Sequence, residues 1–467
     1  MNPVNLASHA VRLQYEFQHS RHPSFKFHSS YLNDYLEKHF LTNASVLSRE
    51  DALKCALTIF SVSAFIDWKL LGDIDSACAE IVTSAVVPLN NITRSLGFSK
   101  REVKNLSSKK IKKILFLSQM DLLSNNGAAA VSRDIVFNFK KYVEPGCSDI
   151  ELQVGSVRSS PGNKALAEGL GLSGSKIKAQ YFSDLESLTE FLGEYQPDLV
   201  IFDYFQFPVI MLPYSVPGPL YLYLSHGFVP LVLDNVDAVL VYGGLVGKKT
   251  LTAMREASPR HLDALVSLPM PGMGAHRIDS RATSANEEVI SKMAHARAGG
   301  AKIAVTLCRK EKISSEYLRF LEVSLRARHD LVTVCAGPGV GQCEGIITSD
   351  RAWFSGAVDP MPFLANADVY IETFPEHQGL SPIDAMRADV PVVSLNNNEN
   401  PHLLLSRRPA SGIFDSTLEL RAAISSIIDS GVKRDRILVE QAEILRELER
   451  IEADFWPSLF KKLQCRK

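Results

Sequence analysis

Cysteine is scarce in this chain, with seven among 467 residues. Cys55, Cys78, Cys147, Cys308, Cys335, Cys343 and Cys465 form no Cys-x-x-Cys pair and no short Cys/His cluster. That argues against a disulfide framework or a zinc site and for buried thiols in a reducing compartment. No apolar run reaches 18 residues, so no membrane-spanning helix is expected. Neither sign of charge is in excess: 51 Lys and Arg stand against 52 Asp and Glu. With no basic surplus to neutralise phosphates, no nucleic-acid partner is expected. Met1-Asn2-Pro3-Val4-Asn5 lacks the charged-then-apolar order of a secretion signal, so a cytoplasmic protein is expected. Neither a Gly-x-Gly-x-x-Gly fingerprint nor a P-loop occurs.

What is present is an ordinary globular composition, 46% hydrophobic and 22% charged, long enough for two or three domains. Residues 1–108 read as a helical accessory domain, with Ser48 capping an Ala/Leu/Ile-rich helix over 48–71. His9, His19, His22, His28 and His39 in this region match no metal-ligand spacing and read as solvated or packing histidines, and no metal is expected. A basic lead-in, Lys109-Lys110-Ile111-Lys112-Lys113, reads as a solvated strand start, with contact to a membrane surface or an anionic acceptor as the alternative.

From 109 to 270 apolar strands alternate with helices, the pattern of a doubly wound α/β domain. Strands are expected at 114–118, 151–157, 178–182, 198–203, 219–225 and 236–241, the last of this half. Asn125-Asn126-Gly127-Ala128-Ala129 leads into a helix, and Gly127 allows a ligand or a strand to approach. His226 stands at a carboxyl strand end before Gly227, where chemistry sits in such sheets.

A second α/β domain is expected over 271–435, and 436–467 as a closing helix, with the long charged stretch ending near Trp456. Its first strand, 302–307, is followed by Arg309, Lys310 and Lys312, and Ser314 caps the next helix. Cations at a strand end suit an anion, which Arg binds as a fork and Lys as a point charge, with a solvated strand-end cluster as the alternative. The stretch from Ala367 to Leu395 is a strand, a polar loop, a short helix and a strand, a βαβ unit. Ser381-Pro382 opens the helix, with Ser381 as N-cap and Asp384 at the third helical position, a capping-box pattern. Free N–H groups there favour an anion, and Gly379 and Leu380 lie directly before it. Glu372 reads as an exposed strand-end acid, whereas Glu376 sits in a loop with no structural partner in sequence.

Glu376-x7-Asp384, then Ala385-Met386 and Val390-Pro391-Val392-Val393, resembles the nucleotide-binding signature of retaining GT-B glycosyltransferases of the glycogen-synthase-like family 4. Two positions depart from it: Asp384 is a methylene shorter than the usual Glu, and Asp389 stands where Gly is usual. Thr373-Phe374-Pro375 is similar to the inverting O-GlcNAc-transferase-like family 41. The resemblance implies two Rossmann-like domains, an acceptor domain and a nucleotide-sugar domain, with the closing helix crossing back to the first.

It also implies transfer of a hexosyl or N-acetylhexosaminyl group from a nucleotide-diphosphate sugar to a glycan, lipid-linked or protein hydroxyl. Catalytic roles fall on Glu376, His226, Arg309 and Lys312. Gly127, Gly379, Leu380, Ser381, Asp384 and Lys310 are expected to bind the nucleotide sugar, without a metal or other cofactor. The alternatives are an inverting protein glycosyltransferase and a non-catalytic GT-B partner or scaffold. Residues 1–108 are open to a role in homo-oligomerisation, and peripheral contact at the inner membrane face is kept beside the cytoplasmic reading.

Overall fold

The structure is a computed structural model. It describes residues 2–20, 25–70, 74–98, 111–118, 122–123, 127–146, 149–157, 162–203, 212–216, 218–224, 236–242, 248–257, 265–268, 284–308, 312–337, 346–375, 381–396 and 409–464. The chain divides into two compact units, Met1–Met270 with Ala453–Lys467, and Pro271–Glu452.

The first unit opens with helices α1 (Pro3–Ser20), α2 (Phe25–Lys38), α3 (Phe40–Asn43), α4 (Arg49–Leu70), α5 (Ile74–Ile81) and α6 (Val87–Ser95). Ser48 caps α4 as the sequence suggests: its hydroxyl accepts from the Asp51 N–H at 3.1 Å and donates to the Asp51 carboxylate at 2.7 Å. Leu53, Ala56, Ile59 and Phe60 recur at helical spacing on the buried face of α4. Together with strand residues Leu117, Tyr221 and Val239 they belong to one apolar core, so the helices and the sheet share it.

That sheet has seven parallel strands in the order β3-β2-β1-β4-β5-β6-β7. The strands are β1 (Lys113–Ser118), β2 (Glu151–Ser156), β3 (Lys178–Tyr181), β4 (Leu199–Asp203), β5 (Leu220–Leu224), β6 (Ala238–Tyr242) and β7 (Leu265–Leu268). Helices α7 (Gly127–Asn138), α8 (Asn163–Gly169), α9 (Leu185–Tyr195), α10 (Leu212–Ser215) and α11 (Lys248–Ala257) connect them. β7 goes beyond the six strands expected here. Four residues are too few for periodicity to declare, and pairing to β6 makes the strand.

The second unit carries α12 (Ser284–Ala298) and a six-stranded parallel sheet, order β10-β9-β8-β11-β12-β13. Its strands are β8 (Lys302–Leu307), β9 (Leu331–Ala336), β10 (Ala352–Ser355), β11 (Val369–Ile371), β12 (Val392–Leu395) and β13 (Ile413–Phe414). The helices are α13 (Ser315–Ala327), α14 (Pro360–Leu364), α15 (Ser381–Arg387), α16 (Thr417–Asp429) and α17 (Gly431–Gln464). Successive residues of one strand serve opposite faces, the period-2 rule. Val305, Tyr370 and Val392 pack with Met293, Met386 and Leu448, while Ala304, Val369 and Val393 pack with Phe320, Leu325 and Ile424. Helices thus cover both faces, as a parallel sheet requires.

α17 runs past the expected stop at Trp456 and through Pro457. Burial of Phe455, Trp456, Leu459 and Leu463 outweighs the hydrogen bond that proline cannot make. No helix among the described residues is long and apolar enough to cross a membrane.

Candidate functional site

In the second sheet β8 is flanked by β9 on one side and β11 on the other, so the chain winds away from it in both directions. The crevice beyond the carboxyl ends of β8 and β11 is therefore the topological switch point, where ligands bind in open parallel sheets. The chain leaves the sheet there at Cys308 after β8 and at Glu372 after β11, and the stretches that follow in sequence are 308–314 and 372–380. These are the segments that hold Arg309, Lys310 and Lys312 on one side and Glu376, Gly379 and Leu380 on the other.

Of these residues, Lys312 is described: it is half-buried and engaged by a partner. Arg309, Lys310, Glu376, Gly379 and Leu380 lie outside the described residues, as does His226 of the first unit. Gly127 is the first residue of α7 in that unit.

The frame around the crevice is well defined. Thr306, near the end of β8, donates from its hydroxyl to the Ile371 carbonyl at 2.8 Å and shares a short hydrogen bond with the Tyr317 phenol. Tyr317 is wholly buried, and burial pushes its phenol well above its ordinary pKa. Tyr370 donates to the Leu307 carbonyl at 3.3 Å. Beyond β11, Phe374 is buried edge-on against Tyr317 and Phe320, at ring separations of 5.3 and 5.5 Å. The Phe374–Pro375 peptide is cis. The acidic loop therefore starts from a fixed aromatic anchor one residue pair before Glu376.

Glu372 overturns its reading as a surface acid. Its side chain is fully buried and partnered, and its N–H donates to the Val393 carbonyl at 2.9 Å. The reason is position: β11 lies between β8 and β12 with helices on both faces, so even its trailing residue is enclosed. Thr373 is equally buried.

Helix α15 begins at Ser381 itself, one residue earlier than an N-cap serine would have it. Asp384 lies in its first turn, 2% exposed and partnered. A carboxylate there is favoured by the helix dipole. At the other end, Asp389 adopts φ +54°. The Val390 N–H reaches the Ala385 carbonyl at 2.9 Å and the Asp389 N–H reaches Met386 at 3.1 Å, the Schellman pattern. A left-handed residue is required at that place, which is why glycine is usual there; Asp tolerates the conformation.

The first sheet has its own switch point, between β1 and β4. Asp203, fully buried at the end of β4, accepts from the Ser118 hydroxyl at 2.7 Å and from the Ser132 hydroxyl of α7. In the sequence Asp203 is only the last residue of the strand expected over 198–203; the two serines are 85 and 71 positions away.

No family model matches the chain, and no curated protein sequence resembles it. Solved structures do. A lysine-to-methionine mutant of the Thermobaculum terrenum O-GlcNAc transferase aligns at 12% identity and TM-score 0.53, over 99% of this chain and 98% of its own. Anabaena HepE in complex with UDP and glucose aligns at 15% identity and TM-score 0.51, over 75% of this chain and 100% of its own. An E. coli structure described as trehalose-6-phosphate bound with UDP-2-fluoro glucose aligns at 10% identity and TM-score 0.51, over 75% and 99%. The architecture is the two-domain α/β GT-B fold.

Proposed function

We propose that the protein is a glycosyltransferase that moves a hexosyl or N-acetylhexosaminyl group from a nucleotide-diphosphate sugar to a hydroxyl acceptor. The observation that carries this reading is the switch point between β8 and β11; in sequence, Arg309, Lys310 and Lys312 follow β8 and Glu376 follows β11, which supports a diphosphate-sugar ligand there. Structures of similar fold hold UDP with glucose or a UDP-sugar analogue, which supports the same ligand class here.

The difficult moment in such a transfer is the charge that gathers on the β-phosphate as the anomeric bond breaks. Arg309, Lys310 and Lys312 supply fixed positive charge for it in place of a metal, and the N–H groups at the start of α15 add to it. Asp384 is assigned to nucleotide hydroxyls and Glu376 to those of the sugar, since a carboxylate offers acceptor oxygens to paired hydroxyls. The reading takes the reaction as retaining; in an inverting reaction His226 would serve as general base.

The test is thermal stabilisation by a panel of nucleotides and nucleotide sugars, on the wild type and on Arg309→Ala and Glu376→Ala. Ligand at 100 times its Kd adds about 2.7 kcal/mol. A shift with one nucleotide sugar that disappears in Arg309→Ala identifies the sugar donor. A well-folded protein that responds to none of the panel refutes the proposal and leaves a binding or scaffold role.

A further inference from the structure

We propose that Ser314 is a positioning residue that fixes the chain leaving β8 against the chain leaving β11. The inference rests on the glycosyltransferase reading of that crevice. Ser314 is the N-cap of α13, with extended backbone at φ −79° and ψ 159°. Its hydroxyl accepts from the Tyr317 N–H at 3.0 Å, as a cap should. The same hydroxyl donates its proton to the Phe374 carbonyl at 2.7 Å, sixty positions away and on the other side of the switch point.

Capping does not require that second bond. A cap needs only an acceptor oxygen; a donor aimed at a carbonyl of another loop ties two segments together. The segments it ties are the ones in question. Lys312 lies two residues before Ser314, and Glu376 lies two residues after Phe374. Two residues of chain span at most about 7 Å, so the backbone of each of these residues starts within that reach of the crosslink. Neither end can drift: Phe374 is 1% exposed and packed on Tyr317 and Phe320, and those rings belong to the helix that Ser314 starts. A sugar diphosphate gripped by a cation on one side and a carboxylate on the other needs that spacing preset, because misplacement of about 1 Å is costly.

Two substitutions separate positioning from capping. Ser314→Gly keeps an accepted N-cap residue but removes the hydroxyl, and Ser314→Thr keeps the hydroxyl. UDP is the probe, with its Kd read by calorimetry alongside the melting temperature of the free protein. Ser314→Gly is expected to stay folded at the assay temperature, melting a few degrees lower through the lost hydrogen bond, while its Kd for UDP rises about tenfold, and Ser314→Thr to restore wild-type affinity. Unchanged UDP affinity in Ser314→Gly overturns the inference, and so does equal weakening in both variants. Failure of the wild type to bind UDP shows before any variant is made; it removes the UDP-sugar reading, and this inference falls with it.

Discussion

The indole Nε1 of Trp456 donates a 3.0 Å hydrogen bond to the carbonyl of Ile135, 321 positions earlier in the chain. The Trp456 ring also meets Phe139 edge-on, at 5.1 Å and 83°. The last turns of α17 are thereby fastened to α7, the helix that begins at Gly127. Trp456→Phe keeps much of the packing but loses the indole donor, and should cost about 1 kcal/mol. Trp456→Ala opens a cavity as well and should cost about 3–5 kcal/mol. Guanidinium denaturation distinguishes the two. Equal losses would mean that the ring kept in Trp456→Phe adds nothing and that the hydrogen bond accounts for the cost.

Asp389 predicts a gain. It holds φ +54° at the end of α15, a conformation that costs most side chains about 1–2 kcal/mol. Asp389→Gly should therefore stabilise by about 0.5–1 kcal/mol, part of the relief being lost to the freer unfolded chain. Asp389→Val, with a branched Cβ, should destabilise by about 1–2 kcal/mol. Thermal unfolding of the pair tests the sign in both directions.

What could be read from the sequence follows from how local each cause is. Ser48 and Ser314 announce helix starts because a cap and its N–H are three residues apart, and both caps form. The strands of the second sheet were readable because parallel strands covered on both faces are continuous apolar runs. β13, two residues long, was not readable, since only pairing to β12 defines it. Glu372 was misread because its burial depends on the order of strands around it, which no local pattern encodes. The same holds for the second role of Ser314 and for the serines around Asp203. The charged residues of the candidate site rest on family-like spacing; the strand order makes β8 and β11, the strands they follow in sequence, neighbours at the switch point.

Asp203 is the buried charge whose removal should be most visible in the first unit. Both serine hydroxyls donate to the same carboxylate oxygen. Asp203→Ala leaves them without it in a site closed to water, and should cost about 2–4 kcal/mol. Asp203→Asn keeps an oxygen for them but loses the charge-assisted part, and should cost about 1 kcal/mol. Chemical denaturation of both variants gives the comparison. An alanine variant as stable as the asparagine one would show that the two hydroxyls turn to other partners.

Alkaline pH should weaken the fold through two phenols. Burial raises the pKa of Tyr317, and burial together with the nearby Glu151 and Asp198 carboxylates raises that of Tyr195. A raised folded-state value means that the native protein holds a proton which the unfolded chain releases near pH 10. The stability from these groups is therefore complete below about pH 10 and declines as pH rises from there toward the folded-state values. Each tyrosine contributes a slope of about 1.4 kcal/mol per pH unit in that window. Tyr317→Phe cannot ionise, and should flatten the decline by one such slope while costing about 1 kcal/mol at neutral pH through the lost hydrogen bond to Thr306. Urea denaturation from pH 8 to about pH 11 measures both quantities. A variant that declines as steeply as the wild type would show that the Tyr317 phenol ionises as readily in the folded protein as in the unfolded chain.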